Sequence, residues 1–280
     1  RPCRGRVSVG ASQWAAEAAV ARLVAWFRAA GGGLPWRRGR DRYAVLVAEV
    51  QLQATPVERV LAYYRHFMER WPTPAALASA PLGEVLAAWQ GLGYPRRARN
   101  LHAAAAIIAE RGWPPPERYT DLPGVGPYTA AALRCFADGE DLLPLDTNAN
   151  RVLARRFPGG WPGAPAGAAW EAGQAVMDLG RLWGTARAPR CESGCPLRAG
   201  CPAAETGTVL EMTPFRRRQS RYEGSFRQRR GRLLRRLADE GRTDASVDRE
   251  AADSLVVDGL AEWDGHDRLM AVGAGARTHR

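Results

Sequence analysis

The chain has 280 residues, 46% of them hydrophobic and 25% charged, and a formal net charge of +11. This composition supports one large globular domain or two modest ones and excludes a fibrous or disordered chain. All 40 basic side chains are arginine, so mechanisms that need a lysine amine, Schiff-base chemistry among them, are excluded.

No stretch approaches the apolar length of a membrane span, and the opening RPCRGRVSVG lacks the hydrophobic core of a secretory signal. The first residue is Arg, so a trimmed start is expected, in a soluble, cytosolic protein. The excess positive charge attracts phosphates and makes nucleic acid the leading partner class. Five cysteines, three of them clustered and two isolated at Cys3 and Cys135, are poor material for a disulfide framework.

In chain order, residues 12–30 place Trp14, Ala18, Ala21, Val24 and Ala25 at helical spacing, and the glycines at 31–33 stop that helix. After LPWR a long helical stretch runs from Asp41 to Trp71, broken near Thr55-Pro56, where proline fits the first turn of a new helix. Three short helices joined by Pro and Gly turns follow, then a turn entering another helix at LPGVGPYTAAALRCFA. Residues 158–167 read as a surface loop, and alternating strand pattern is absent to about residue 205. Beyond a linker after Cys201, an arginine-rich amphipathic helix, a second helix and two short strands around a DG turn resemble the later part of a winged helix.

Four features carry chemistry. LPGVG has the spacing of a helix-hairpin-helix: Leu122, Gly124, Val125 and Gly126 form a tight turn whose backbone N–H groups can grip a phosphate without reading sequence. The weaker GLGYPRRARN sets Tyr94 beside Arg96, Arg97 and Arg99, an aromatic wedge beside backbone-binding arginines or a core tyrosine beside a solvated face. Glu49 stands among Val45, Leu46, Val47, Val50 and Leu52, where the charged form is disfavoured and a general acid becomes available, unless it pairs with an arginine at the helix edge. Asp146 reads as an ordinary helix N-cap by itself, but together with Glu49 on a DNA-binding scaffold it suggests hydrolysis of a glycosidic bond.

LPWR, AEVQLQATPV, GLGYPRRARNLH, LPGVGPYTAAAL, LDTNANRVLAR, MDLG and the cysteine loop follow one another in an order that resembles the helix-hairpin-helix (HhH-GPD) DNA glycosylases, most closely the adenine-specific, MutY-type branch, over residues 34 to about 201. The resemblance implies an all-α, two-lobed fold with a small C-terminal winged-helix-like α+β extension. Its expected parts are a helical lobe from 12–35 plus 147–205, a six-helix barrel domain from 36–146 and a linker with a basic domain from 206–280. It also implies a monomeric base excision repair enzyme of the bacterial cytoplasm, at the nucleoid, acting on double-stranded DNA that carries a mispaired or damaged base, with no membrane partner.

By the same resemblance Glu49 protonates the flipped adenine, Asp146 stabilises the oxocarbenium-like sugar, and Asn148 supports it. Tyr128 takes the place where bifunctional relatives carry a Schiff-base lysine, so a monofunctional glycosylase is expected. Trp36 and Arg37 line the base pocket. Gln53, Tyr94, Arg96, Arg97, Arg99 and Arg151 join the hairpin in holding DNA, although the wedge pair of glutamines is reduced to Gln53-Ala54. The last 70 or so residues are too short for the family's usual 8-oxoguanine-recognition domain, and Arg227, Arg229, Arg230, Arg232, Arg235 and Arg236 are left to track phosphates. Two other readings stay open: a thymine-mismatch glycosylase of the same superfamily, and a DNA-binding relative without catalysis.

Cys191, Cys195 and Cys201 fall on the family's [4Fe-4S] loop, but Gly184 stands at the first ligand position and x3 replaces x2 between Cys191 and Cys195. An emptied loop is the expectation, ahead of a three-thiolate cluster. Zinc bound with His66, His102, His266 or His279 lacks supporting spacing.

Overall fold

The computed structural model describes residues 9–30, 33–209, 221–265 and 268–272. Cys3, Gly31, Gly32, His266, His279 and residues 210–214 of the linker expected after Cys201 lie outside them. The chain forms two compact units, one from residues 1–45 and 127–216, the other from 46–126 and 217–280. The sequence reading divides it instead near 35 and 146 and keeps 206–280 apart. No described helix is long and apolar enough to cross a membrane.

The first unit is built on α1 (Val9–Ala30), α7 (Pro127–Phe136), α8 (Thr147–Arg156), α9 (Ala169–Leu182) and the single turn α10 (Pro202–Glu205). Its core gathers Val20, Leu23, Val24 and Phe27 with Val152, Phe157, Val176 and Leu179. Each such side chain contributes about 1.5–3 kcal/mol when fully buried. The buried stripe of α1 is therefore not the expected one: Trp14 is 75% exposed, and the helix turns its larger aliphatic and aromatic groups inward rather than Ala18, Ala21 and Ala25. Trp26 and Trp183 close one edge, ring to edge at 5.2 Å.

α2 (Arg42–Leu52) runs across the division, begun by Asp41, whose carboxylate accepts from Ala44 N–H at 2.7 Å. The second unit continues with α3 (Val57–Arg70), α4 (Pro74–Ser79), α5 (Leu82–Ala88) and α6 (Arg96–Arg111). Pro56 is the N-cap of α3, one position before the first turn. Thr73 caps α4, and the small Ala104 and Ala105 on the buried face of α6 let α4 pack closely on it. Phe67, Trp71 and Trp89 stack edge to face in this core.

The C-terminal module belongs to the second unit. Here α11 (Phe226–Glu240) leads into β1 (Arg242–Asp244), α12 (Arg249–Val257), β2 (Glu262–Trp263) and β3 (Arg268–Met270). The antiparallel sheet has the order β1-β3-β2, with Leu269 opposite both Thr243 and Trp263. The hairpin, the two helices and the winged-helix-like arrangement match expectation. β1 has only three residues, too few for alternation to announce it.

Candidate active site

In the first unit Asp146 caps α8. One carboxylate oxygen accepts from Ala149 N–H at 2.6 Å and the other from Asn148 Nδ2 at 3.1 Å. Burial pushes the Asp146 carboxyl above its ordinary range, against the pull of the Ala149 and Asn148 N–H groups and of Arg151. Arg151, expected at DNA, is instead buried, donating to Asn148 Oδ1 at 2.5 Å and to the Gly184 and Gly180 carbonyls. It fixes the asparagine that fixes the aspartate. The glycine of MDLG makes this approach feasible, because a Cβ on Gly180 would come within 2.8 Å of Asn148 Cβ.

The same unit holds the LPWR turn. Trp36 is buried, and Arg37 donates to Asp178 Oδ2 and to Gln174 Oε1, both at 2.8 Å. The ion-paired side chains are 4% and 6% exposed. The sequence reading singled out Arg37 but not Asp178 or Gln174. An acid in the apolar AVMDLG stretch is the same signal that drew attention to Glu49. Tyr128, on α7, is half-buried with its hydroxyl 3.6 Å from Met177 Sδ.

The second unit holds Glu49, buried on α2, and the two loops expected to touch DNA. Arg97, expected among phosphates, lies inside. Its Nη1 donates to the Val50 and Gln51 carbonyls at 2.7 and 3.0 Å. Its Nη2 donates to the Leu92 and Gly93 carbonyls at 3.0 and 2.9 Å and to Thr55 Oγ1 at 3.1 Å. Burial lowers its pKa to about 10, opposed by nearby Tyr94, which leaves the guanidinium charged at neutral pH. One side chain thus ties the end of α2 to the GLGY loop.

Ala54 and Tyr94, at φ 55° and 50°, are the non-glycine residues in the left-handed region among the described residues, and both lie in the segments that Arg97 joins. Such a conformation costs roughly 1–2 kcal/mol per residue. Tyr94 is 49% exposed at the tip, and Gln53 is half-buried. Arg96 is exposed, with a guanidinium nitrogen 3.7 Å from Asp258 Oδ1, whereas Arg99 donates to the Asp258 carbonyl and to Asn100 Oδ1. In the hairpin, Leu122 and Val125 are buried and leave Gly124 and Gly126 at the surface. Gly124 has φ 79°, and a Cβ there would meet Asn100 Cβ at 2.9 Å, so both backbone and packing require glycine. Gln51 is fully buried with neither amide atom hydrogen-bonded among the described residues, and the sequence reading passed it over.

The cysteine loop follows α9 in the first unit. The Gly184 carbonyl, at the first ligand position, is taken by Arg151 Nε and Arg155 Nη1 at 2.5 and 2.9 Å. Trp183 Nε1 donates to Ser193 O at 3.1 Å, and Cys201 Sγ lies 3.7 Å from the Arg155 carbonyl. Burial raises the Cys191 and Cys195 thiols above the ordinary thiol range. No group of three His, Cys, Asp or Glu among the described residues is placed to hold a metal ion. Three thiols stand where the family has four, so Cys191, Cys195 and Cys201 cannot by themselves complete a four-cysteine set for a four-iron cluster. Cys135, set apart from this loop in the sequence reading, shares its unit, but lies against Ala169 O at the start of α9, about 20 Å from that helix's other end. Burial, then Asp141, pushes its thiol to about 12.

Comparison with known proteins decides the family. The HhH-GPD superfamily base excision DNA repair protein family matches residues 47–163. An adenine DNA glycosylase of Mycolicibacterium smegmatis is 40% identical over 90% of this chain and 96% of its own. The chain belongs to the adenine DNA glycosylase family. The adenine DNA glycosylase of Mycobacterium tuberculosis strain H37Rv is 42% identical over 76% of each chain, and the human one 37% identical over 65% of this chain and 39% of its own. Among solved structures, a thermostable thymine-DNA glycosylase aligns at TM-score 0.62 and 25% identity, over 70% of this chain and 99% of that one. An endonuclease III in a non-covalent DNA complex aligns at 0.58 and 22%, over 70% and 97%, which shows the shared fold.

Proposed function

We propose that this glycosylase excises adenine mispaired with 8-oxoguanine or guanine in duplex DNA, without cutting the strand. The observation that carries the reading is Asp146, a half-buried carboxylate oriented by Asn148 and the first turn of α8. Adenine departs once a ring nitrogen is protonated, and the sugar left behind is positive. Glu49, buried among valines and leucines, supplies that proton and then receives one from the attacking water. Asp146 sets negative charge where the sugar cation develops, and such preorganised groups lower barriers by about 3–4 kcal/mol. Tyr128 serves the Asp146 side of the reaction, in the same unit, where Asp178 fixes the Arg37 expected to line the base pocket. Flipping the base costs unstacking energy, offset by Tyr94 in the gap and by the hairpin's hold on the backbone.

Lysine is absent from the sequence, so no Schiff base can form on one and strand cleavage by that route is unavailable. For the cysteine loop we propose a metal-free state in a monomeric enzyme, supported by Gly184 in place of the first ligand cysteine.

Single-turnover base release tests the reaction on duplexes with A opposite 8-oxoguanine, A opposite G and T opposite G, with Glu49→Gln as control. Release from the first two, lost in the variant and without strand breaks before alkali, is expected. Release from T opposite G alone favours the thymine reading that the thymine-DNA glycosylase likeness raises. No release from any duplex, or undiminished release by Glu49→Gln, overturns the assignment.

A further inference from the structure

Helix α11 sorts its arginines. Leu233, Leu234 and Leu237 bury one face against the module core of Ala251, Ala252, Leu255 and Leu269. On the flank toward α12, Arg229 pairs with Asp248 at 3.1 Å and Glu250 at 2.5 Å, and Arg230 with Asp258 and the Ser254 hydroxyl. Those cations hold the module together. Arg232, Arg235 and Arg236 are exposed and have no partner among the described residues. Spaced i, i+3 and i+4, they form a single ridge on the solvent face.

The module is fastened to the rest of its unit at a telling place. Asp258, at the end of α12, meets Arg96 through its carboxylate and Arg99 through its carbonyl, and Gly83 N–H donates to Val272 O at 3.3 Å. Arg96 and Arg99 are in the first turn of α6, directly after Tyr94. The acid that anchors the module therefore also occupies the arginines beside the candidate wedge.

We propose that the Arg232, Arg235 and Arg236 ridge is a second backbone grip, binding phosphates of the duplex that flanks the mispair. The ridge rests on the DNA reading given under Proposed function. Unpaired guanidinium groups in a row suit successive phosphate oxygens and read no sequence. A lipid surface is a poorer match, because the exposed large apolar side chain of α11 is Phe226 at its first position, under the Arg229 guanidinium, and none flanks the ridge from 227 to 240.

The test uses the full chain carrying Arg232→Gln, Arg235→Gln and Arg236→Gln together. A charge-matched control carries Arg38→Gln, Arg59→Gln and Arg65→Gln, exposed arginines outside the module. Fluorescence anisotropy on undamaged duplex across a sodium chloride series gives the slope of log affinity against log salt. Removing three phosphate contacts flattens that slope by about 2.7, with the denaturation midpoint and single-turnover release at saturating DNA unchanged. A ridge variant whose slope and affinity equal those of the wild type, or change no more than the control's, overturns the proposal. If the wild type releases no adenine yet binds duplex with a ridge-dependent slope, the reaction assignment fails and the grip stands.

Discussion

The Arg97 guanidinium lies 5.6 Å from the centroid of the Tyr94 ring and hydrogen-bonds the carbonyl of Gly93, the residue just before that tyrosine. Its Nη1 donates to the Val50 and Gln51 carbonyls, at the end of the helix that carries Glu49. The exposed aromatic and the buried acid are thus tied through one cation. Arg97→Leu leaves several buried neutral acceptors unsatisfied, at about 1–3 kcal/mol for such a group, and is expected to lower stability by at least that much in urea unfolding. Arg97→Lys recovers only part, since an ammonium lacks the planar fork that reaches both segments. A loss below about 1 kcal/mol for the leucine variant contradicts this role.

Asp146→Asn separates stability from chemistry. Asparagine caps a helix about as well as aspartate, so the fold persists while base release falls by about 100- to 1000-fold. The folded pKa of Asp146 is raised by burial, so ionisation there favours the unfolded chain. The stability tied to its protonated form is complete below the unfolded value near 3.8 and is lost as pH rises through the folded one. The asparagine variant should match the wild type in Tm at acid pH and exceed it progressively above. A gap that widens toward acid refutes the sign.

Asp178→Ala strands Arg37 in a buried site. Breaking such a pair costs about 3–5 kcal/mol, readable by thermal or chemical denaturation. The double variant Arg37→Met, Asp178→Leu should recover much of that loss, because it removes the unpaired charge. Additive losses in the double variant argue against the pair.

Gln51→Met goes the other way. Removing a buried amide with no partner while keeping the volume should raise stability by about 1–3 kcal/mol. A destabilised methionine variant means that the amide has a partner after all.

The cysteine loop predicts little iron in protein purified without oxygen, no absorbance in the visible cluster band, and a Tm that chelators do not move. A brown protein with stoichiometric iron and acid-labile sulfide overturns the metal-free proposal.

Much of this was legible because burial of an acid is written in its neighbours: Glu49 stands in an unbroken apolar run, and Asp146 precedes a helix whose first turn needs a cap. The direction of arginines was harder. In RRAR, Arg96 and Arg97 look alike, yet Arg97 shares a helical stripe with Leu101, Ala104 and Ile108, and that period was the available signal. Arg151 gave little beyond Asn148 three positions earlier on the same helix, since its Gly180 and Gly184 acceptors are backbone carbonyls that no residue type announces. Asp178 and Gln174 went unseen because the LPWR turn and α9 are about 140 positions apart; their separations from Arg37 are 141 and 137 residues.

The left-handed backbone at Ala54 and Tyr94 bears on how a mispair is found. Both loops take this shape when the chain folds, fixed by a guanidinium that no DNA has to displace. On the proposed reading of Tyr94 as the wedge, the tyrosine would meet each base pair already shaped, with no loop to order afresh. Ordering a flexible residue costs about 1–2 kcal/mol of backbone entropy. Here that cost is met once, at folding, and on the proposed reading is not met again at each base pair.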